Sequence, residues 1–287
     1  MARLHRTPGP RASRPLVAAV ALGAVVAIVR ADDPKASRAK FMSEAAHEIR
    51  VKSADDASPF RIKDEPIYRY SDPTRSFSDG SLWAFGPEVG RPAALLSLSL
   101  EGEKGGNWQW IYEFTSLSAE KVRATGPSEV GYLPWTPEVP GIEPRPIPQA
   151  EAPASDAPKR LRQMRDLARR FRADETFEPK PGARPERYEL RLLPQPVLRY
   201  SDPEKGLVDG AGFLFAYGQN PEIVVLIEAR KEGAAAPSWS YGLGRISAAA
   251  SRVRLDDAVV GEMPRINDNN MKRAYAGFSR PVPAGKE

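Results

Sequence analysis

The pentapeptide Arg69-Tyr70-Ser71-Asp72-Pro73 returns unchanged as Arg199-Tyr200-Ser201-Asp202-Pro203. Aligned on it, Asp79-Gly80 falls on Asp209-Gly210 without a gap, and Phe60-Arg61-Ile62 falls on Leu190-Arg191-Leu192. A match this long reads as an internal duplication, so whatever one half builds the other must build too. Asp before Pro is pushed out of helical geometry, and Asp-Gly is a favoured turn pair. Each motif therefore reads as a strand running into a polar corner.

Downstream of each motif the apolar spacing is two. Leu96, Leu98 and Leu100 alternate with Ser97 and Ser99, and Val225, Ile227 and Ala229 hold the same places in the second half. Trp108, Trp110, Tyr112 and Phe114 alternate with polar or aliphatic residues, as do Trp239, Tyr241 and Leu243. Period two with aromatics on one face predicts sheets packed on a core. Upstream of each motif the spacing changes. Phe41, Ala45 and Ile49 predict a helix over about 36–51, and Leu161, Met164, Ala168 and Phe171 predict another over about 158–173.

The expected fold class is α+β: two similar modules, each a helix on a mostly antiparallel sheet of four to five strands. The arrangement permits a pseudo-two-fold axis with merged sheets. Residues 32–125 form the first module and 158–256 the second. Nine prolines within 126–158 make 126–157 a linker or surface arm. The Asn267-Asp268-Asn269-Asn270 cluster lies in 257–287, expected to be an irregular tail.

Residues 1–31 stand apart. Arg3, Arg6, Arg11 and Arg14 precede 14 uninterrupted apolar residues at 16–29, followed by Arg30 and Ala31. That is the layout of a secretory signal peptide cleaved near Ala31. The apolar run would span roughly 21 Å as a helix, short of the ~30 Å hydrocarbon core. The chain should therefore be exported, periplasmic or extracellular, with no membrane span after leader removal; an uncleaved leader kept as an anchor is the other reading. Removing this leader takes five arginines and no acid from a chain of 42 basic and 37 acidic residues. The remainder is formally neutral, which removes the charge argument for nucleic acid.

Cysteine is absent, which excludes disulfides, thiolate nucleophiles and Cys-metal sites. Of two histidines, His5 is in the leader, so His47 alone remains; no His-pair metal site or Ser-His pair follows. No cofactor or metal is expected. The candidate binding loops are Arg69, Tyr70, Asp72 and Asp79 with Arg199, Tyr200, Asp202 and Asp209. Their Asp pairs suit acid/base chemistry on glycans or, on the plainer reading, turns that bond their own backbone. Trp108, Trp110 and Trp239 are a candidate aromatic surface for sugar rings; the alternative is that they are core. The basic face of the second helix reads as a set of intramolecular ion pairs or as a contact for an acidic polymer or an anionic membrane face.

Leu190-Arg191-Leu192-Leu193-Pro194-Gln195-Pro196, Arg199-Tyr200, Asp209-Gly210 and Trp239-Ser240-Tyr241 resemble a family of uncharacterised exported bacterial proteins with a duplicated module. That resemblance implies no activity. The leading expectation is a non-enzymatic interaction or envelope-associated module with a protein or glycan partner. The alternative is a carboxylate-dependent glycan hydrolase or a carbohydrate-binding protein.

Overall fold

A computed structural model describes residues 33–53, 58–72, 77–102, 108–126, 134–178 and 182–282, with backbone alone at 72, 77 and 78. The expected leader lies outside the described residues. Asp33–Glu287 is one compact unit.

Helix α1 (Pro34–Glu48) starts where Asp33 accepts the Lys35 N–H at 3.1 Å and Pro34 presets the first turn. It stops at Ile49, which is extended. The first half continues with β1 (Arg50–Ser53), β2 (Arg61–Ile62), β3 (Tyr68–Asp72), β4 (Phe77–Gly86), β5 (Ala94–Glu101), β6 (Gln109–Ser116) and β7 (Val122–Thr125). After β8 (Arg145–Pro146), α2 (Ala157–Ala168) opens on Asp156, which accepts the Lys159 N–H at 2.9 Å. Then follow β9 (Phe171–Phe177), β10 (Glu186–Leu192), β11 (Leu198–Asp202), β12 (Leu207–Tyr217), β13 (Asn220–Arg230), β14 (Ser238–Arg245), β15 (Ala250–Leu255), β16 (Ala258–Met263) and β17 (Tyr275–Pro281).

All strand pairings among the described residues are antiparallel. One six-stranded sheet runs β17-β6-β5-β4-β2, with β3 also on β4. A nine-stranded sheet runs β16-β15-β9-β10-β12-β13-β14-β8, with β11 also on β12, and β1 pairs β7 separately. Registers match between the halves: Tyr70 opposes Gly80 as Tyr200 opposes Gly210, with a bulge after each tyrosine.

Strand alternation puts apolar groups on both faces, so the central strands are buried on both sides. Trp83, Phe85, Leu96 and Leu98 join Met42 and Ala46 of α1 in one core. Phe213, Phe215, Val225 and Ile227 join Met164 and Ala168 of α2 in a second. The opposite faces meet in a third, where Leu82, Ala84 and Leu95 of the first sheet pack with Leu214, Val224 and Leu226 of the second. The sheets thus pack face to face.

The α+β expectation is overturned. The chain is mostly β, 49% strand and 13% helical; among the described residues there are two α-helices and large curled sheets rather than two helix-on-sheet modules. Three causes account for it. Both helices end sooner than expected, because Ile49 and Phe171, the last members of their apolar stripes, are extended, Ile49 as the cap of α1 and Phe171 as the first residue of β9; β-branched and aromatic side chains favour that conformation. The proline-rich segment also contributes β8 and buries Trp135, Ile142 and Ile147. Finally, 257–287, expected to be irregular, supplies β16 and β17. β17 lies on the edge of β6 and β8 on the edge of β14, each with a proline in the ladder, Pro281 and Pro146. Proline donates no ladder hydrogen bond, which blunts an open edge.

Candidate functional site

The repeated motif is a scaffold device in both halves. A Cβ added at Gly80 would lie 2.2 Å from the Tyr70 ring, and one at Gly210 would lie 2.4 Å from the Tyr200 ring. The tyrosine ring therefore lies flat on the glycine across the ladder, which is why Asp-Gly must carry glycine there. The preceding aspartates anchor the helices. Arg38 of α1 donates to buried Asp79 at 2.5 Å. Arg160 of α2 donates to Asp209 at 2.9 Å, and Arg199 holds the same carboxylate with two 2.6 Å bonds.

Asp202 accepts the Lys205 N–H at 3.3 Å and caps a 3-10 turn at Pro203–Lys205. Its carboxylate thus bonds its own loop. Arg69 is exposed and lies 3.6 Å from Glu65. The side chain of Asp72 lies outside the described residues. Of the predicted loop residues, the fold brings Arg199 onto Asp209 against α2 and lays Tyr200 on Gly210, with Asp202 turned to its own turn.

The aromatic row is not a surface. Trp110 is 5% exposed and stacks on Phe41 with centroids 4.2 Å apart; Trp239 is 3% exposed, and Trp108 is partly buried against the first core. Period two marked the face that packs, and the packing partner is α1 or α2 rather than a sugar. The basic residues of α2 and the turn after it are largely engaged within the chain: Arg160 meets Asp209, Arg169 meets Asp166 and Arg170 meets Asp256.

Sequence reasoning missed the polar centre of the molecule. Glu228 on β13, 3% exposed, receives the Tyr200 hydroxyl at 2.9 Å, Arg230 at 2.9 Å and Arg91 at 2.8 Å. Arg91 comes from the loop between β4 and β5, so this pair ties the first half to the second. Burial pushes the Tyr200 hydroxyl well above its ordinary range, with the Glu228 charge adding to it. That phenol is a fixed donor and no base. The one available signal was Glu228 inside an apolar run from Ile223 to Ala229.

Two grooves flank the same loop where it meets the second motif. One of about 270 Å³ is lined by Val89, Arg91, Asp202 and Arg230; the other, about 570 Å³, by Ile62, Val89, Val197 and Arg199. Among the described residues no group of three or more His, Asp or Glu is placed to hold a metal. No helix there is long and apolar enough to cross a membrane.

No protein-family model, curated protein or solved structure matches the chain. The resemblance drawn from the motif residues therefore stands on those residues alone.

Proposed function

We propose that the chain is an exported, non-enzymatic interaction or envelope-associated protein built from a duplicated module. The observation that carries the non-enzymatic reading is the use made of the motif's acids. Asp209 is held by two guanidinium groups and Asp202 caps its own turn, which leaves neither as a free general acid or base. The matched registers of the two tyrosine–glycine pairs support the duplication. The basic start and 14-residue apolar run support export.

The test is expression of the full chain in a bacterial host, followed by fractionation and mass measurement. Processing near Ala31 and recovery outside the cytoplasm are expected. An intact chain in the cytoplasm would sink the export reading. The purified product is then incubated with a panel of polysaccharides; release of reducing ends that Asp209→Asn abolishes would sink the non-enzymatic one.

A further inference from the structure

The β9–β10 ladder stops two rungs before the strands themselves end. Antiparallel pairing runs from Glu186↔Phe177 to Leu190↔Ala173 and ends there. The next rung in that register would set Arg191 directly opposite Arg172, which already faces Arg254 of β15 across its other ladder, and like charges facing across a ladder repel. Instead β10 goes on to pair β12 alone, Arg191 with Ala216. The strands part, and a cleft of about 560 Å³ opens between them.

Arg172 and Arg191 line this cleft, and Arg169, from the turn after α2, joins them. Glu189 is the one acid among the lining residues, against three guanidinium groups. The floor is apolar: Phe171, Leu192 and Phe215. Their present partners hold these arginines weakly. Arg169 meets Asp166 and Arg172 lies 3.7 Å from Asp257, both well-exposed pairs. Such pairs contribute little. Arg191 gives one bond to the Gly218 carbonyl at 3.0 Å. A guanidinium carries five N–H donors, so most remain available to an incoming acceptor.

We propose that this cleft binds an oxyanion of the phosphate class, free or as the headgroup of a lipid whose hydrocarbon meets the apolar floor. An anion seated between Arg172 and Arg191 turns their mutual repulsion into a bridge, and fork-shaped donors suit phosphate oxygens. The first half supplies an internal control. Arg50 and Arg61 occupy the corresponding rung, beyond the Lys52↔Pro59 bridge. There Arg50 donates to two carbonyls, those of His47 and Ile49, while Arg61 faces Glu88 at 3.4 Å in a pair as exposed as those of the second half, so the difference between the halves rests on Arg50. Anion binding in the second half does not depend on where the protein resides.

The experiment is calorimetric titration of the full chain with inorganic phosphate, and sedimentation with phosphatidylcholine vesicles with and without phosphatidylglycerol. Wild type is expected to bind phosphate, or the vesicles containing phosphatidylglycerol, more weakly as salt rises. The R172Q/R191Q variant should lose at least about tenfold, and R50Q/R61Q should bind as wild type does. Vesicle binding confined to phosphatidylglycerol identifies a headgroup; phosphate binding without it identifies the free anion. If R172Q/R191Q does not fold, Arg169→Gln on its exposed turn carries the same test and should weaken binding severalfold. No binding of either probe, or undiminished binding by these variants, overturns the proposal.

Discussion

The two halves lay the same tyrosine on the same glycine and then use its hydroxyl in opposite ways. Tyr70 reaches the Ser97 hydroxyl at 2.9 Å and also bonds the hydroxyl of Ser99, both neutral partners. Tyr200 reaches Glu228, a buried carboxylate held by two arginines. The rungs concerned are equivalent, since Gly80 opposes Ser99 and Gly210 opposes Glu228. Backbone and glycine set the frame, while the residue beneath the ring is free to be neutral or charged. A charge is tolerated there only with its guanidinium partners, one of which the other half supplies. Removing each residue separates the cases most sharply. Glu228→Ala leaves Arg91 and Arg230 without their carboxylate and should cost about 3–5 kcal/mol, whereas Ser99→Ala should cost about 1 kcal/mol. Urea denaturation of both measures the difference; similar losses would show that the charged network is incidental.

The first half carries its own perturbed acid, on the sheet next to Tyr70. Glu113 of β6 receives the Tyr275 hydroxyl of β17 at 2.5 Å. Burial pushes its carboxyl up to about 8, the Tyr275 bond opposes this, and the Glu101 and Glu222 charges add to it. Ser97 also bonds the carboxyl, and Arg245 lies 5.2 Å over the Tyr275 ring. The folded state therefore keeps a proton that the unfolded chain releases near 4.5. The associated stability is fully present below that value and is lost as pH rises towards about 8. A loss of up to about 5 kcal/mol is expected across that window. Thermal midpoints from acid to mildly alkaline pH should fall for wild type and stay level for Glu113→Gln. A level wild-type curve would remove Glu113 from the account.

Asp174 of the second half behaves oppositely. Burial raises its carboxyl, but hydrogen bonds from Arg187 and Arg254 outweigh that and hold it below the usual range. Its contribution is present above the ordinary carboxylate range and is lost in acid. The halves thus respond to opposite ends of the pH scale.

Much of the strand pattern was legible in the sequence. Leu96 to Leu100, Trp110 to Phe114 and Val225 to Ala229 all lie in strands, because a half-buried ladder imposes period two. What alternation does not reveal is that the second face is buried as well. Ser97 and Ser99 looked like solvent-facing positions, yet both are buried between the sheets. The helix ends were misjudged because Ile49 and Phe171 continue an apolar stripe as readily as they open an extended segment. β8 and β17 were illegible because their pairing is set by distant partners, Ser240 and Phe114 among them. The motif residues were legible, and their identity in both halves suits either a ligand or self-bonding turns; in the fold Asp202 caps its own turn, each motif tyrosine lies on a glycine, and Asp79 and Asp209 hold a helix arginine.

That tyrosine–glycine contact is the next test of equivalence. Alanine at Gly80 or at Gly210 would drive a methyl group into a buried ring that neighbouring strands hold in place. Each substitution should cost about 1–3 kcal/mol. The effect at Gly210 should be the larger, because moving Tyr200 also disturbs Glu228. Double variants with the matching tyrosine changed to leucine should recover part of the loss. No recovery would mean that the strain lies in the backbone.

The smallest expected difference concerns the helix anchors. Arg38 donates through Nε to Asp79. Arg160 donates through Nε to Asp209 and through one terminal nitrogen to the carbonyls of Ala154 at 3.0 Å and Ser155 at 2.7 Å. Lysine keeps the charge in either place but has a single nitrogen and no planar fork. Arg160→Lys should therefore lose the carbonyl contacts and cost roughly 1 kcal/mol more than Arg38→Lys. It should also loosen the segment before α2, read as faster amide exchange around Ser155. Equal costs with unchanged exchange would mean that charge alone fixes both helices, and that the extra bonds of Arg160 follow from the fold without supporting it.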